Sequence, residues 1–426
     1  MTANPDSVAL HREPVPVAGV VRVCLLLGRI LFGFGATAQR IQDSVACLAR
    51  HLGCSVEILV SYDALLLTVS DGETFRTRVD SSRSVAGLNL LGLARVSRLL
   101  RGLPPSQTNP GEIEQALCAI RDTPPVNRVV GQVFAAGGTG VGFCILNGGD
   151  PASWGCGFVA AAVVFVIRRR LAARHFSVHV ALFVAAFAGS FLAGLLARIT
   201  PTATPAVALV GPILFLVPGV PLINGGIDVI RNHVTIGMAR VGFAGAVVLT
   251  LCLATSLTVR LLPVSVNPPF SLPGAGGPIL YSFAGMLAAG AMAWLNNGHF
   301  GLIGLCALGG LIGRLVRALM TLGGLDLITA SLIGALCSTL VVSFVAERFR
   351  WPAVVASVIA ALPMVPGYFA IAGLHALLSF ASSDGADPAQ LASGLQALAR
   401  ALFISIALVV GVIAPLVVLQ RETKRV

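Results

Sequence analysis

The chain has 426 residues, of which 56% are hydrophobic and 11% are charged, and its mean hydropathy is +0.89. This composition excludes an ordinary soluble globular protein and predicts an integral membrane protein. The net charge of +11 comes mainly from arginines between apolar segments, which favours topology signals and lipid contacts over nucleic-acid binding. The 9 cysteines and 7 histidines show no metal-ligand spacing, so we expect neither a metal site nor a cofactor.

Residues 1–128 predict a small soluble α/β domain, because most of the acidic residues of the chain lie within them. A first helix is predicted over 17–52, since its charged residues fall on one polar face of a helical wheel. That face comprises Arg22, Arg29, Arg40, Asp43 and Arg50. Alternating apolar residues then predict an antiparallel sheet, and further helices follow it. The strands are expected at 56–60, 65–69 and 74–79, and the helices near 87–102 and 111–121.

From Val129 onward, apolar stretches of about 20 residues, the length that crosses a bilayer, recur between Pro, Gly, Asn and charged residues. We predict ten transmembrane helices, with nine or eleven as the alternative counts. They lie at 129–147, 152–168, 176–198, 206–225, 235–260, 278–296, 300–321, 327–346, 353–378 and 399–419.

Two of these spans carry the same helix-breaking signature. Val217-Pro218-Gly219 lies in the fourth span and Val365-Pro366-Gly367 in the ninth, at an offset of 366 − 218 = 148 residues. Proline removes a backbone donor, and the freed polar groups survive at bilayer depth only inside protein or along a wet cavity. Paired breaks in the two halves of a chain indicate a transporter binding site.

The positions of the breaks predict a 5+5 inverted repeat, with membrane repeats at 129–262 and 276–420. If the N-terminal domain is cytoplasmic, most basic residues of the loops and tail lie on the same side, as the positive-inside rule requires. These residues are at 168–170, 174, 231, 348, 350, 421, 424 and 425. We therefore expect a multi-pass protein of the bacterial cytoplasmic (inner) membrane with both termini in the cytoplasm.

Over nearly its whole length the chain resembles the threonine/serine exporter family. The most specific similarity is the segment 217–224 together with Asp228, Gly237 and Arg240. Further similarity lies at Gly35-Ala36, Arg40-Ile41, Asp43, Gly53, Asn89-Leu90, 148–150, Leu362-Pro363 and Pro366-Gly367. The second half resembles a smaller partner subunit that some relatives encode separately. Gln42 departs from the pattern, since family members often carry a glutamate there.

The resemblance implies a secondary transporter that exports threonine and serine, driven by the proton gradient. In the split relatives it implies export of dicarboxylates such as succinate, and that alternative stays open here. The partners would be the small-molecule substrate, protons and the lipid bilayer, and a homo-oligomer also stays open. Two other classes are a channel and a membrane-embedded enzyme. We expect no enzyme, because Asp150, Asp228 and Asp326 alternate between the predicted membrane faces.

A broken helix offers amides to a carboxylate and carbonyls to an ammonium group, so we expect the substrate near the two breaks. The predicted substrate-binding residues are Pro218, Gly219, Asn224, Pro366 and Gly367.

Ionisable residues in the apolar body are the other candidates. Asp228 follows the first break and is predicted to carry the coupled proton or to bind the substrate ammonium, with a cap paired to Arg231 or Arg240 as the alternative. Arg314 and Arg317 share one face of the seventh span and could hold a substrate carboxylate or extend to the interface. The remaining candidates are Asp150, Arg240 and Asp326.

Overall fold

The computed structural model describes residues 17–81, 87–104, 109–262, 264, 277–382 and 388–423. The chain divides into two compact units. The first comprises residues up to Gly87 together with Arg95–Pro124, and the second comprises Leu88–Ala94 together with the chain from Pro125.

The first unit contains helices packed on a small sheet, as the sequence predicts. Its strands β1 (Ser55–Val60), β2 (Leu65–Ser70) and β3 (Phe75–Asp80) form an antiparallel sheet in the order β1-β2-β3. Leu59 of β1 lies opposite Leu66 of β2, which in turn lies opposite Val79 of β3. The helices are α1 (Val17–Gly33), α2 (Ala38–His51), α3 (Leu90–Arg101), whose first turns belong to the second unit, and α4 (Pro110–Asp122).

The single helix predicted over 17–52 is wrong, because the chain breaks between α1 and α2. Gly35 in this break has φ of 80°, a left-handed conformation that glycine adopts without steric cost. The expected polar face is therefore divided. Arg22 forms an ion pair with Glu114 at 2.9 Å and Arg29 with Asp80 at 3.3 Å. Arg40 instead donates to the Ser97 hydroxyl at 2.6 Å.

The second unit is helical among its described residues. Its elements are α5 (Val129–Leu146), α6 (Pro151–Ala173), α7 (Val178–Ile199), α8 (Pro205–Val210), α9 (Gly219–Ile230), α10 (Val234–Leu261), α11 (Gly277–Leu295), α12 (Phe300–Leu322), α13 (Leu327–Arg348), α14 (Ala353–Ala361), α15 (Gly367–Ala381) and α16 (Pro388–Thr423). Short 3₁₀ helices, Gly211–Leu216 and Leu362–Met364, separate α8 from α9 and α14 from α15.

Seven of the described helices are long and apolar enough to cross a membrane, and two bent pairs raise the number to nine if each pair is one span. The seven are α5, α7, α10, α11, α12, α13 and α16, and the bent pairs are α8 with α9 and α14 with α15. The protein is therefore a polytopic membrane protein, but ten transmembrane helices are not confirmed. The predicted span at 152–168 corresponds to α6, a continuous helix of 23 residues that is not among these nine.

The order of elements and their packing recur in the two halves. Three helices, a broken pair and a final helix occur first as α5 to α10 and again as α11 to α16. In each half the first helix packs on the second, the second on the third, and the last on the helix that follows the break. Gly140 of α5 stands against the backbone of Gly157, and Gly285 of α11 against that of Gly310. The inverted relation between the halves stays a prediction.

Candidate functional site

Both helix breaks have the same backbone geometry. Pro218 has φ −79° and ψ 62°, and Pro366 has φ −82° and ψ 45°. The Gly219 N–H donates to the Val217 carbonyl at 2.8 Å, and the Gly367 N–H donates to the Val365 carbonyl at 2.9 Å. These are inverse γ-turns centred on proline. They bend the two helix pairs by 57° and 49° respectively.

The two breaks contact each other. A methyl group placed on Gly219 would lie 2.6 Å from Cδ2 of Leu362 and 3.4 Å from Cγ2 of Val365. A methyl group on Gly367 would lie 3.1 Å from Cγ2 of Val217 and 3.4 Å from Cδ2 of Leu214. The valine that precedes the proline of each break thus packs against the glycine of the other break. The absence of a side chain at both positions allows this reciprocal contact.

A cavity of about 570 Å³ lies at this contact. Its wall includes Val217 and Gly219 from the first break and 362–369 from the second. Another part of the wall comes from the end of α5, at Asn147 and Gly148, and from the connection between α12 and α13. A volume of this size is enough for a small organic solute.

Arginine is the predominant ionisable residue in the cavity wall. Arg314 and Arg317 from α12 and Arg400 from α16 line it, and Asp326 is the only carboxylate among the described residues of the wall. The Arg317 Nη1 donates to the Met364 carbonyl at 3.2 Å, next to the second break. The Arg314 guanidinium lies 5.8 Å from the centre of the Tyr281 ring. The cavity is therefore suited to an anion.

Two buried polar atoms of the wall have no hydrogen-bond partner within the described part of the chain. They are Nε of Arg314 and the hydroxyl of Tyr368. A buried donor without a partner costs free energy, and native structures keep few of them. Both residues line the cavity, but the two atoms themselves are closed to solvent, so a ligand could accept from them only after the wall rearranges.

Some of the residues predicted from the sequence lie in this cavity wall and others do not. The wall contains Gly219, Pro366, Gly367, Arg314, Arg317 and Asp326. Within the described residues, it does not contain Pro218, Asn224, Asp228, Asp150 or Arg240. The predicted candidates thus fall into two groups, one in the cavity wall and one outside it.

Asp228 lies in a buried ion pair with Arg240. Nη1 of Arg240 donates to Oδ2 of Asp228 at 2.6 Å, and the two residues are 5% and 0% exposed, respectively. Asn224 is buried one helical turn before Asp228, on the same face of α9. A charge-assisted contact this short and this dry is strong only while both partners keep their charge.

Asp150 and Asp326 each cap a helix. Asp150 accepts hydrogen bonds from the Ser153 and Ala203 N–H groups and from the Thr202 and Thr204 hydroxyls. Burial raises the pKa of Asp150, but these hydrogen bonds lower it by more, to about 2. Asp326 caps α13 through the N–H groups of Ile328 and Thr329, and hydrogen bonds from Thr329 hold its pKa below the usual value.

Sequence reasoning missed Tyr281, Tyr368, Thr321 and Arg400 as cavity residues. Tyr368 directly follows Pro366-Gly367, so its position was a usable signal. Arg400 lies next to the start of the predicted tenth span, where an arginine is also typical of a helix end. Tyr281 and Thr321 reach the cavity through the packing of α11 and α12 around the second break, which no local pattern encodes.

The sequence matches two family models, both for threonine/serine exporters. The first covers residues 22–262 and the second covers 281–418. The chain is also similar to two proteins named probable succinate transporter subunit YjjP. The Klebsiella aerogenes protein is 28% identical over 246 residues, which is 57% of this chain and 93% of the relative. The Escherichia coli K12 protein is 28% identical over 258 residues, with 57% and 94% covered. No solved structure matches the chain.

Proposed function

Since this chain belongs to the threonine/serine exporter family, with both halves in one polypeptide, we propose that it exports small dicarboxylates through the cavity between its helix breaks. The family resemblance seen in the sequence is thereby confirmed, and the protein is a multi-pass membrane exporter. The single observation that carries the choice of substrate is the arginine-rich wall of the cavity, formed by Arg314, Arg317 and Arg400.

The charge of the wall favours a solute with more than one carboxylate. Arginine presents a planar set of donors that matches a carboxylate, and three arginines exceed what one carboxylate of a zwitterion can neutralise. Arg314 lies over Tyr281 on one side, and Arg317 lies beside the second break on the other. The 28% identity to proteins named as probable succinate transporter subunits agrees with this choice.

Threonine or serine is the second candidate substrate, because the matching family models are named for them. An amino acid needs an acceptor for its ammonium group. Asp326 is the one carboxylate in the described wall of the cavity, and it already accepts from two backbone N–H groups of α13. An amino acid would therefore bind Asp326 through its ammonium group and an arginine of the wall through its carboxylate.

The orientation follows from the basic loops. With the N-terminal domain in the cytoplasm, the end of α5 and the connection between α12 and α13 lie at the outer face of a bacterial cytoplasmic membrane. The cavity would then open outward, since Asn147 and Asp326 belong to its wall. We propose that the proton gradient drives export, and that no enzymatic reaction is involved.

The test is efflux from bacterial cells loaded with succinate, threonine and serine. Strains that express the protein are compared with empty strains, with and without an uncoupler. The proposal expects faster loss of succinate from the expressing strain, sensitive to the uncoupler, with threonine and serine unchanged. Faster loss of threonine or serine alone would favour the second candidate, and equal loss of all three solutes from both strains would contradict export.

A further inference from the structure

The helix pair that follows each break is built in the same way in both halves. Gly225 of α9 faces Gly237 of α10, and Gly373 of α15 faces Gly394 of α16. A methyl group on Gly225 would lie 2.9 Å from the Gly237 carbonyl oxygen, and one on Gly373 would lie 3.0 Å from that of Gly394. The two helices within each pair therefore approach one another to a similar distance.

The register of the two pairs is also the same. A methyl group on Gly237 would meet Val229, and one on Gly394 would meet Leu377. Val229 and Leu377 are separated by 377 − 229 = 148 residues, the offset of the breaks themselves. Positions in α9 thus correspond to positions in α15 at an offset of 148, and positions in α10 to positions in α16 at 394 − 237 = 157.

The buried polar residues of the first pair have alanines at the corresponding positions of the second. Ala372, Ala376 and Ala397 correspond to Asn224, Asp228 and Arg240. The three polar residues are 4%, 0% and 5% exposed, and the three alanines are 0%, 6% and 0% exposed. The same close packing of two helices is therefore built once around an ion pair and once with alanines at the corresponding positions.

A buried ion pair is expensive to desolvate, and well-packed apolar residues often replace one without loss of stability. Since the second half provides such a replacement, the packing of α9 on α10 does not require the pair. We infer that Asp228, held by Arg240 and flanked by Asn224, carries the coupled proton, so that the first half couples transport while the second half supplies the arginines that bind the substrate. This inference rests on the proposed function.

The chemistry needs only one proton transfer. A proton from water binds a carboxylate oxygen of Asp228, the ion pair with Arg240 is lost, and the net charge of the pair rises from zero to +1. Asp228 is 0% exposed, so water reaches it only after the helices packed around it move. Proton exchange is thereby tied to a conformational step, which is the requirement for coupling.

Few other charged groups belong to the elements packed against Asp228. α9 packs on α10, α14 and α16. α14 has no titratable residue. Besides Arg240, α10 carries Cys252 and also Arg260, which lies about 30 Å further along the helix than Arg240. α16 carries Arg400, which lines the cavity, and Arg421 and Glu422 near its end. Arg231 and His233 follow α9 directly, and the His233 N–H donates to the Asp228 carbonyl at 2.8 Å.

The test replaces the three buried polar residues of the first half by alanine, which is the residue at the corresponding positions of the second half. The variant Asn224→Ala/Asp228→Ala/Arg240→Ala is reconstituted in liposomes beside the wild type and the control Arg231→Ala, which removes a nearby charge. Succinate exchange at equal pH, succinate transport driven by a pH gradient, and the Tm are measured for each. We expect the triple variant to melt within about 4 °C of the wild type and to lose the response to the pH gradient, measured as the ratio of driven transport to exchange at equal pH.

Three results would overturn the inference. A triple variant that fails to fold shows that the pair is structural, retained driven transport shows that it does not couple, and loss of exchange with an unchanged Tm assigns it to substrate binding. The single variant Asp228→Ala, which removes the carboxylate of the ion pair but keeps the buried charge of Arg240, should have a lower Tm than the triple variant. A wild type that exchanges no succinate, threonine or serine would instead contradict the proposed function.

Discussion

Arg314 and Arg317 are three residues apart on α12, but their surroundings differ. Arg317 donates to the Met364 carbonyl, so it fixes the second break as well as lining the cavity. Arg314 lies over Tyr281, and its Nε has no partner among the described residues. We therefore propose that Arg314 binds the ligand and that Arg317 positions the break.

The Tyr368 hydroxyl gives a prediction at the same scale. In the variant Tyr368→Phe an unpartnered buried hydroxyl is removed, so the Tm should stay equal or rise. If this hydroxyl binds a substrate carboxylate, the KM for succinate should rise several-fold, by about the 1 kcal/mol of one hydrogen bond. Transport kinetics and thermal unfolding of the purified variant check both effects. An unchanged KM would remove Tyr368 from the binding site.

Asp150 gives the opposite prediction. It accepts four hydrogen bonds at the start of α6 and lies outside the described cavity wall. The variant Asp150→Ala should lose a helix cap worth about 0.5–2 kcal/mol and show a lower Tm. Its KM for the transported solute should equal that of the wild type. A raised KM with an unchanged Tm would instead assign Asp150 to the substrate path.

The predicted residues that line the cavity are ones whose type alone is unusual in an apolar helix, and their role in binding a substrate stays a prediction. Gly219, Pro366 and Gly367 interrupt spans, and Arg314 and Arg317 are charges inside one, so each could be found locally. Tyr281 and Thr321 are ordinary residues that become cavity residues only when α11 and α12 pack around the second break. The ion pair between Asp228 and Arg240 likewise depends on how α10 packs on α9.

At the scale of the element, the glycines decide how closely helices approach. On α12, a methyl group at Gly310 would lie 2.5 Å from the Gly285 carbonyl oxygen, whereas one at Gly304 would meet nothing within 4 Å. The variant Gly310→Ala should therefore separate α11 from α12 and lower the stability by about 1–3 kcal/mol. Gly304→Ala on the same helix is the matched control.

Thermal unfolding of the two glycine variants checks this prediction. The Tm of Gly304→Ala should equal or exceed that of the wild type, because alanine is the better helix former and has open space there. Equal loss of stability in both variants would mean that glycine at 310 is not required by packing.

The elements themselves were largely predictable because hydrophobic periodicity and length determine them locally. Where a predicted helix was wrong, the sequence contained a local signal for its break. The helix expected over 17–52 ends at Gly33, and Gly35 supports the turn that follows. The bends at Pro218 and Pro366 were expected, but their reciprocal contact joins residues 148 positions apart, and no local pattern encodes it.

At the scale of the whole chain, charge is distributed unequally between two halves of similar construction. The arginines of the described cavity wall, Arg314, Arg317 and Arg400, all belong to the second half. The first half instead contains the buried pair of Asp228 and Arg240. Two halves with similar helix packing but different charged residues are expected when one half binds the substrate and the other couples substrate movement to the proton.

The orientation in the membrane gives a prediction at this scale. Leu325, in the connection between α12 and α13, should face the outside, and Phe176, between α6 and α7, should face the cytoplasm. In a protein whose native cysteines are replaced, a membrane-impermeant maleimide added to intact cells should label Leu325→Cys, and should label Phe176→Cys only after the cells are opened. The reverse pattern would invert the topology and with it the proposed direction of the cavity.

The most direct test of the central claim is equilibrium binding of succinate to the purified protein by calorimetry. The account predicts that the wild type and Arg348→Gln, which changes an exposed arginine at the end of α13, bind succinate equally. Arg314→Gln should bind it about tenfold more weakly or worse, because a charged hydrogen bond is worth about 1.5–3 kcal/mol. Equal binding by all three proteins, or binding of threonine without succinate, would contradict the account.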